Sequence, residues 1–257
     1  VRSPYPSLRG NRVSRNGNGL VGWGFHNPTQ NRVNTFDPTD PRLSCTVYGI
    51  GFNNGILYGA EMQYDRAQQG SNYLNRKASM PFTSPIDKAA NKNILLLRYA
   101  DVLLMHAEAA YHAGKENEAR DMLEKVRERA RNSTYCKGYV NGDPNGYTSP
   151  AATPNLPKIT SSGTALLEDI LKERRIELAL EGYRMWDFIR TGKLVENVSK
   201  VKDSDREAAG EGEEVQQKGI AENIKKHSLT GKNGVYIPVF PIPLTEVQSW
   251  GLEQNPN

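Results

Sequence analysis

Cysteine is scarce in this chain, long apolar runs are missing, and neither charge sign dominates. Only Cys45 and Cys136 occur in 257 residues. Two thiols 91 positions apart make neither a disulfide framework nor a zinc site, and they read as buried thiols. Mean hydropathy is -0.66. No run approaches the roughly 18 apolar residues of a membrane span. Net charge is only +4. Basic side chains are mixed with acidic ones, which excludes a nucleic-acid footprint. The opening Val1-Arg2-Ser3-Pro4 has no apolar leader core and reads as the middle of a longer protein. GxxxxGK(S/T), GxSxG and HExxH motifs are all missing. The stretch Gly17 to Gly22 fits GxGxxG, but no strand precedes it and no helix follows, so it reads as a flexible loop. His106 and His112 would lie about 240° apart around one helix and cannot share a metal; His26 and His227 have no ligand-like spacing. Asn141-Gly142-Asp143-Pro144-Asn145-Gly146 copies the first half of a calcium loop, but Ala152 stands where the bidentate Glu belongs, and a plain turn is favoured. We expect no metal and no cofactor.

What is present is helical patterning, strongest from Asn93 to Arg131. Leu96, Ala100, Leu103, Ala107 and Ala110 recur at alternating spacings of four and three, on one face. Asn93 is the expected cap of this helix and Gly114 its left-handed stop. Asn117 is the expected cap of a second helix, whose apolar face is Ala119, Met122, Leu123, Val126 and Ala130. Leu103, Ala107, Ala110, Gly114, Ala119 and Leu123 resemble one tetratricopeptide hairpin. The expected fold class is mainly α, with tetratricopeptide-like hairpins, long irregular loops and little β.

The flanks differ in texture. Residues 1–92, rich in Gly, Pro, Asn and aromatics, read as an irregular, loop-rich region facing a ligand. Residues 93–257 read as the helical core with a C-terminal extended segment. Within the first region Thr29 caps a short helix over Val33 and Phe36, Asp40-Pro41-Arg42 closes a turn, and Leu43 to Tyr48 alternates as a strand would. Within the second, Thr164 opens a helix that runs to Arg190, weakened at Gly182. Residues 203–219 read as a solvated insertion, Val235 to Pro243 as extended chain, and Thr245-Glu246-Val247-Gln248 as the opening of a last short turn.

Two groups of residues bear on function. Leu167, Leu171, Arg174, Leu178 and Glu181 share one helix face, so Arg174 and Glu181 interrupt an apolar stripe. Glu173 and Glu177 nearby are the candidate acid pair of a glycosidase, which needs one carboxyl with a raised pKa. Every acid here has an arginine within four residues, which lowers the pKa instead. A buried ion-pair lattice of Arg98, Asp101, Glu173, Arg174, Glu177, Glu181, Arg184 and Asp187 is the preferred reading, with Arg174 paired to Glu177, Glu181 or Asp101. No catalytic residue is expected. The second group is aromatic. Tyr5, Trp23, Phe25, Tyr64 and Tyr73 sit on Gly- and Pro-rich backbone, where flat rings can stack on a sugar or grip a peptide, or seal loops onto helices.

The motifs also carry a resemblance. Leu97-Arg98-Tyr99-Ala100-Asp101-Val102-Leu103-Leu104, followed by Ala107-Glu108-Ala109, resembles a signature of the SusD/RagB family. So do the run Glu173-Arg174-Arg175, Glu177-Leu178, Glu181-Gly182, Arg184, Asp187, Arg190, Gly192-Lys193 and the closing Pro241-Ile242-Pro243, Glu246 and Gln254-Asn255-Pro256. Upstream, Gly22-Trp23-Gly24, Pro28-Thr29-Gln30 and Asp40-Pro41-Arg42 follow in the family's order. The resemblance implies roughly the C-terminal half of a helical surface lipoprotein of the Bacteroidetes outer membrane. Such a protein binds an oligosaccharide or oligopeptide, is not an enzyme, and hands its ligand to a SusC-like TonB-dependent transporter. A lipid anchor on a missing N-terminal part would be its sole membrane contact. The charged helix would be scaffold. The rival readings are a glycoside hydrolase using Glu173 or Glu177, and a pure protein-interaction scaffold.

Overall fold

The computed structural model describes residues 13–15, 28–49, 56–57, 60–64, 73–77, 95–135, 154–199, 244–251 and 253. These are mainly helical. The chain divides into two compact units, one carrying the described residues up to Gly182 and the other those from Tyr183 onward.

The first unit is built on a helical hairpin. Helix α3 (Tyr99–His112) and helix α4 (Glu116–Arg131) are joined at Gly114, whose φ of 74° supplies the left-handed turn that ends α3. The Lys115 amide donates to the Ala110 carbonyl at 2.9 Å and closes that end. Leu103, Leu104, Ala107 and Ala110 of α3 meet Ala119, Leu123 and Val126 of α4 in one apolar cluster. Alanines at 107, 110 and 119 let the two backbones approach, because interaxial distance follows the size of the contact residues. Helix α5 (Gly163–Glu177) lies against both, adding Leu166 and Ile170 to the same cluster.

Three expectations about these helices are corrected. The first helix starts at Tyr99 with Arg98 at its cap position, and Asn93 lies outside the described residues. Leu96 therefore precedes the helix and is 82% exposed, not part of its buried face. Helix α4 is preceded by Lys115, so Asn117 sits inside its first turn and accepts from Arg120 at 2.6 Å. The third helix ends at Glu177: Leu180 and Gly182, with φ of 63° and 95°, break it before Arg184. Its buried side is Leu166, Ile170, Glu173, Arg174, Ile176 and Glu177; Leu167 and Leu171 are only half-buried. The apolar stripe is thus rotated by about one residue, roughly 100° on a helix, from the expected one.

Residues 154–162 are an irregular strap along α4. Loop carbonyls need donors when they are drawn onto a folded surface. Arginines of α4 supply them: Arg120 to Ser161 at 2.8 Å, Arg127 to Pro157 at 2.9 Å and Arg131 to Leu156 at 2.8 Å. Leu156 is buried at the far end.

The described N-terminal residues form short elements, and those of residues 30–49 and 73–75 pack around the end of α5. Helix α1 (Gln30–Val33) has Thr29 as its cap, the hydroxyl accepting from the Arg32 amide at 3.2 Å, as its sequence predicts. Asp40-Pro41 opens helix α2 (Pro41–Thr46) and does not merely close a turn. Asp40 accepts from the Arg42 amide at 2.9 Å, and Pro41 is suited to a first helical turn because it needs no N–H partner there. The expected strand from Leu43 is reduced to β2 (Val47–Gly49), antiparallel to β5 (Tyr73–Asn75) with Val47 opposite Asn75. Strands β1 (Val13–Arg15), β3 (Ile56–Leu57) and β4 (Ala60–Tyr64) form a second antiparallel sheet in the order β1-β4-β3. Tyr64 and Tyr73 are therefore on strands, not on loop backbone. Val33, Phe36, Leu43, Val47 and Tyr73 cluster with Ile176 and Ala179, so α5 runs from one apolar cluster into another.

In the second unit, helix α6 (Arg184–Arg190) and helix α7 (Leu194–Ser199) are consecutive, and helix α8 (Leu244–Trp250) is the last element. Leu244 already belongs to α8, so Thr245 lies within it and does not open it. Residues 203–219 and 235–243 lie outside the described residues. No helix among the described residues is long and apolar enough to cross a membrane.

Candidate functional site

Toward its C-terminal end, α5 carries Glu173, Arg174 and Glu177, all buried. Ionised groups in such a place must be paired, since burying a lone charge costs several kcal/mol. Each is paired across the chain. Glu173 is 1% exposed and receives one guanidinium N–H from Arg42 and another from Arg127 at 2.9 Å. Glu177 receives Arg42 at 3.0 Å, Arg129 at 2.7 Å and Arg98 at 2.6 Å. Arg98 also holds Glu181 through two nitrogens, at 2.7 and 2.9 Å. Lys77 donates to Glu181 at 2.6 Å. Arg174 donates to Asp101 at 2.8 Å with both side chains buried, which is one of the pairings its sequence context predicts.

Two of these cations serve the helix end as well. Arg98 donates to the Glu177 carbonyl at 2.6 Å and Lys77 to the same oxygen at 2.8 Å. The last carbonyls of a helix lack internal partners and carry its negative dipole end, so cations settle there. Arg42 is the hub on the other side: it also forks onto Asp40, through Nη2 at 2.7 Å and Nε at 3.0 Å.

The electrostatics follow from this saturation. Burial opposes ionisation of Glu177, but the Arg129, Arg98 and Arg42 cations outweigh it and hold its carboxyl at about 2. Burial likewise works against charge on Arg42, yet Asp40 and Glu173 raise its pKa further above its ordinary value. Burial lowers the Lys77 ammonium, with Glu181 opposing. A glycosidase acid needs a raised carboxyl and an open face toward substrate. Glu177 is shifted the other way, and both oxygens of Glu173 are occupied by arginines. The arrangement is scaffold chemistry.

The expected ion-pair residues fall in both units. Arg98, Glu173, Glu177 and Glu181 form one connected lattice, and Asp101 with Arg174 is a pair on the same helices. Arg184 and Asp187 belong to the second unit. There Arg184 lies over the Phe188 ring at 4.0 Å and Asp187 pairs with Arg190 at 2.7 Å. Sequence reasoning missed Asp40, Arg42, Lys77, Arg127 and Arg129. A signal was available for one pair: a capping Asp and an Arg two positions later, in a segment whose other residues from Pro41 to Val47 are all uncharged.

Of the aromatic candidates, Tyr64 and Tyr73 are among the described residues. Tyr5, Trp23 and Phe25 lie outside them. Tyr64 ends β4 opposite Val13. Tyr73 is 9% exposed within the second apolar cluster, and its hydroxyl donates to Gln30 at 2.7 Å. A ring so enclosed has no free face for a ligand. His106 bonds Glu118 at 2.7 Å across the hairpin, and His112 meets Tyr111 edge-on at 5.2 Å. Among the described residues no three His, Cys, Asp or Glu side chains are arranged to hold a metal; Asn141 to Asn145 lie outside them.

The pairing of the Arg-Tyr-Ala-Asp helix with the Glu-Arg-Arg helix joins the two segments that carry the family resemblance. The model of the SusD family matches residues 7–257. The chain belongs to the SusD family. A SusD-like protein of Formosa agariphila is 39% identical over 105 residues, which cover 40% of this chain and 18% of that protein. The crystal structure of a SusD-like protein from Bacteroides fragilis superimposes with a TM-score of 0.55 at 20% identity, over 75% of this chain and 42% of the other. That likeness shows a shared SusD-type fold. The chain spans less than half the length of these SusD-like relatives.

Proposed function

We propose that this SusD-family chain is part of a cell-surface protein that binds nutrient oligomers and passes them to a SusC-like TonB-dependent transporter at the outer membrane, held there by a lipid anchor. The observation that carries the reading is the family match over residues 7–257. The saturation of the α5 carboxylates supports binding without cleavage, because no acid of that helix face is poised to protonate a glycosidic oxygen. The ligand is an oligosaccharide or an oligopeptide, gripped by aromatics of residues 1–92, with Tyr5, Trp23, Phe25 and Tyr64 as the candidates.

Calorimetry of the natural full-length protein against polysaccharides and oligopeptides tests this. Saturable binding of one class, with no reducing sugar released, is the expected result. Release of reducing sugar that disappears in Glu173→Gln or Glu177→Gln would establish the hydrolase instead. Each stacked ring contributes on the order of 1 kcal/mol, so Tyr5→Ala or Trp23→Ala weakens binding roughly five- to tenfold. Wild-type affinity in both variants, with the fold intact, moves the site elsewhere.

A further inference from the structure

The charged seam at the end of α5 joins two parts of the first unit that are each braced without the other. On one side stand α1, α2, β2, β5 and Lys77; on the other stand α3, α4, α5 and Glu181. The first part is tied together internally. Strand β2 pairs with β5, the Arg76 amide donates to the Thr46 carbonyl at 3.0 Å, and the Tyr73 hydroxyl donates to Gln30 at 2.7 Å. This part supplies Val33, Phe36, Leu43, Val47 and Tyr73 to the second apolar cluster, to which the helical side adds Ile176 and Ala179.

The charges divide along the same line. Arg42 holds Asp40 on its own side, through Nη2 at 2.7 Å and Nε at 3.0 Å. Without Arg42 and Lys77, every acid of the helical side still has a cation from its own helices. Glu173 has Arg127 at 2.9 Å, Glu177 has Arg98 at 2.6 Å and Arg129 at 2.7 Å, and Glu181 has Arg98 at 2.7 Å. Lys77 shows the duplication most directly. Both oxygens it reaches, the Glu177 carbonyl and Glu181 Oε1, also accept from Arg98 Nη2, at 2.6 and 2.9 Å. Burial lowers the Lys77 ammonium against Glu181, Arg98 adds to the lowering and Glu177 opposes it, so a return to water relieves that ammonium. Breaking a buried ion pair is costly when it leaves one partner alone. Parting along this seam leaves none of these acids alone. The bonds from Asn155 to Thr39 and Asp37 and from Arg175 to Asn31 also cross it, at exposed positions where water can replace them. Arg32 adds a bond to the Arg175 carbonyl at 2.8 Å.

We propose that α1, α2, β2, β5 and Lys77 dock on α5 as one detachable block, which parts from the α3–α4–α5 bundle and returns while that bundle stays folded. Folded proteins open in such cooperative pieces when a piece carries its own bracing and its removal strands little. The chain permits it, since 20 residues lie between Lys77 and Arg98. The inference does not depend on which ligand the protein binds, or on its binding one.

The test is native-state hydrogen exchange on the natural full-length protein, read by mass spectrometry at low denaturant. The amides of Val33, Leu43 and Arg76, bonded within the block, are expected to exchange through one shared opening. That opening should occur at least about tenfold more often than the one exposing the amides of Ala107 and Leu123 in the hairpin. Arg127→Met supplies the decisive arm. With Arg127 gone, departure of Arg42 leaves Glu173 without a cation, so the opening becomes rarer by about tenfold or more. A segment that is merely weakly packed would open as often or more often in that variant, which overturns the proposal. Exchange of block and hairpin at one common rate, or unrelated rates for the three block amides, overturns it as well.

Discussion

The two halves of helix α5 solve the burial problem in opposite ways. Leu166 and Ile170, both fully buried, sit among leucines and alanines of the hairpin. One to two turns later Glu173, Arg174 and Glu177 are nearly as buried but sit among arginines and acids. Apolar contact is non-directional and tolerates small errors of position. The charged half is directional: each carboxylate oxygen is matched to a donor from α2, the cap of α3, α4 or the segment after β5. The apolar half supplies most of the driving force of folding; the charged half fixes which N-terminal segment docks on the helix end, at little net gain over an apolar replacement.

The sharpest way to break this contrast is to remove the hub. Arg42→Ala takes the guanidinium from the buried Asp40 and one cation from each of Glu173 and Glu177, and a loss of about 4 kcal/mol is expected in denaturant unfolding. A loss below about 1 kcal/mol would mean that water already solvates those acids. Acid should separate the halves next. Glu177 is held at about 2 in the folded chain against an ordinary 4.5, so its contribution is whole above the ordinary value and drains away as pH falls toward about 2. The drop is on the order of 3 kcal/mol, and Glu177→Gln should flatten that limb of a stability-versus-pH curve.

Arg174→Ala should cost about 3 kcal/mol by leaving Asp101 buried and unpaired, and Arg174→Met combined with Asp101→Leu should recover most of it. If the double variant is no better than the single one, the pair is doing more than neutralising itself. On the apolar side, Ile170→Val should cost about 1 kcal/mol, and equally at neutral and acid pH. A pH-dependent cost there would couple the halves. At the small end, His106→Gln should leave the unfolding midpoint unchanged, since its contact with Glu118 is exposed.

The hairpin was legible because its information is local. A 3.6-residue period in Leu103, Ala107, Ala110, Ala119, Leu123 and Val126 defines two facing stripes, and Gly114 marks the turn between them. Thr29 was legible as a cap for the same reason, its bond reaching only to Arg32. The same locality misled elsewhere. A helical period extrapolated back through Leu96 to Asn93 ignored where the backbone bonds begin, at Tyr99. Asp40-Pro41 suits a turn and a helix start equally, and the choice fell to the helix.

That acids crowd with arginines on one helix was written in the amino-acid order, and so was the expectation that Arg174 finds a buried acid. Which partners close the lattice was decided by tertiary structure alone. Arg42 reaches Glu173 across 131 positions, Arg98 reaches Glu177 across 79 and Arg127 reaches Glu173 across 46. Periodicity orders neighbours three and four residues apart, so it placed Arg174 and Glu177 near each other but carried nothing about chain segments that meet only after the helices pack. A charge is stabilised by whatever opposite charge lies within a few ångströms when water is excluded, and that distance is a property of the packed chain.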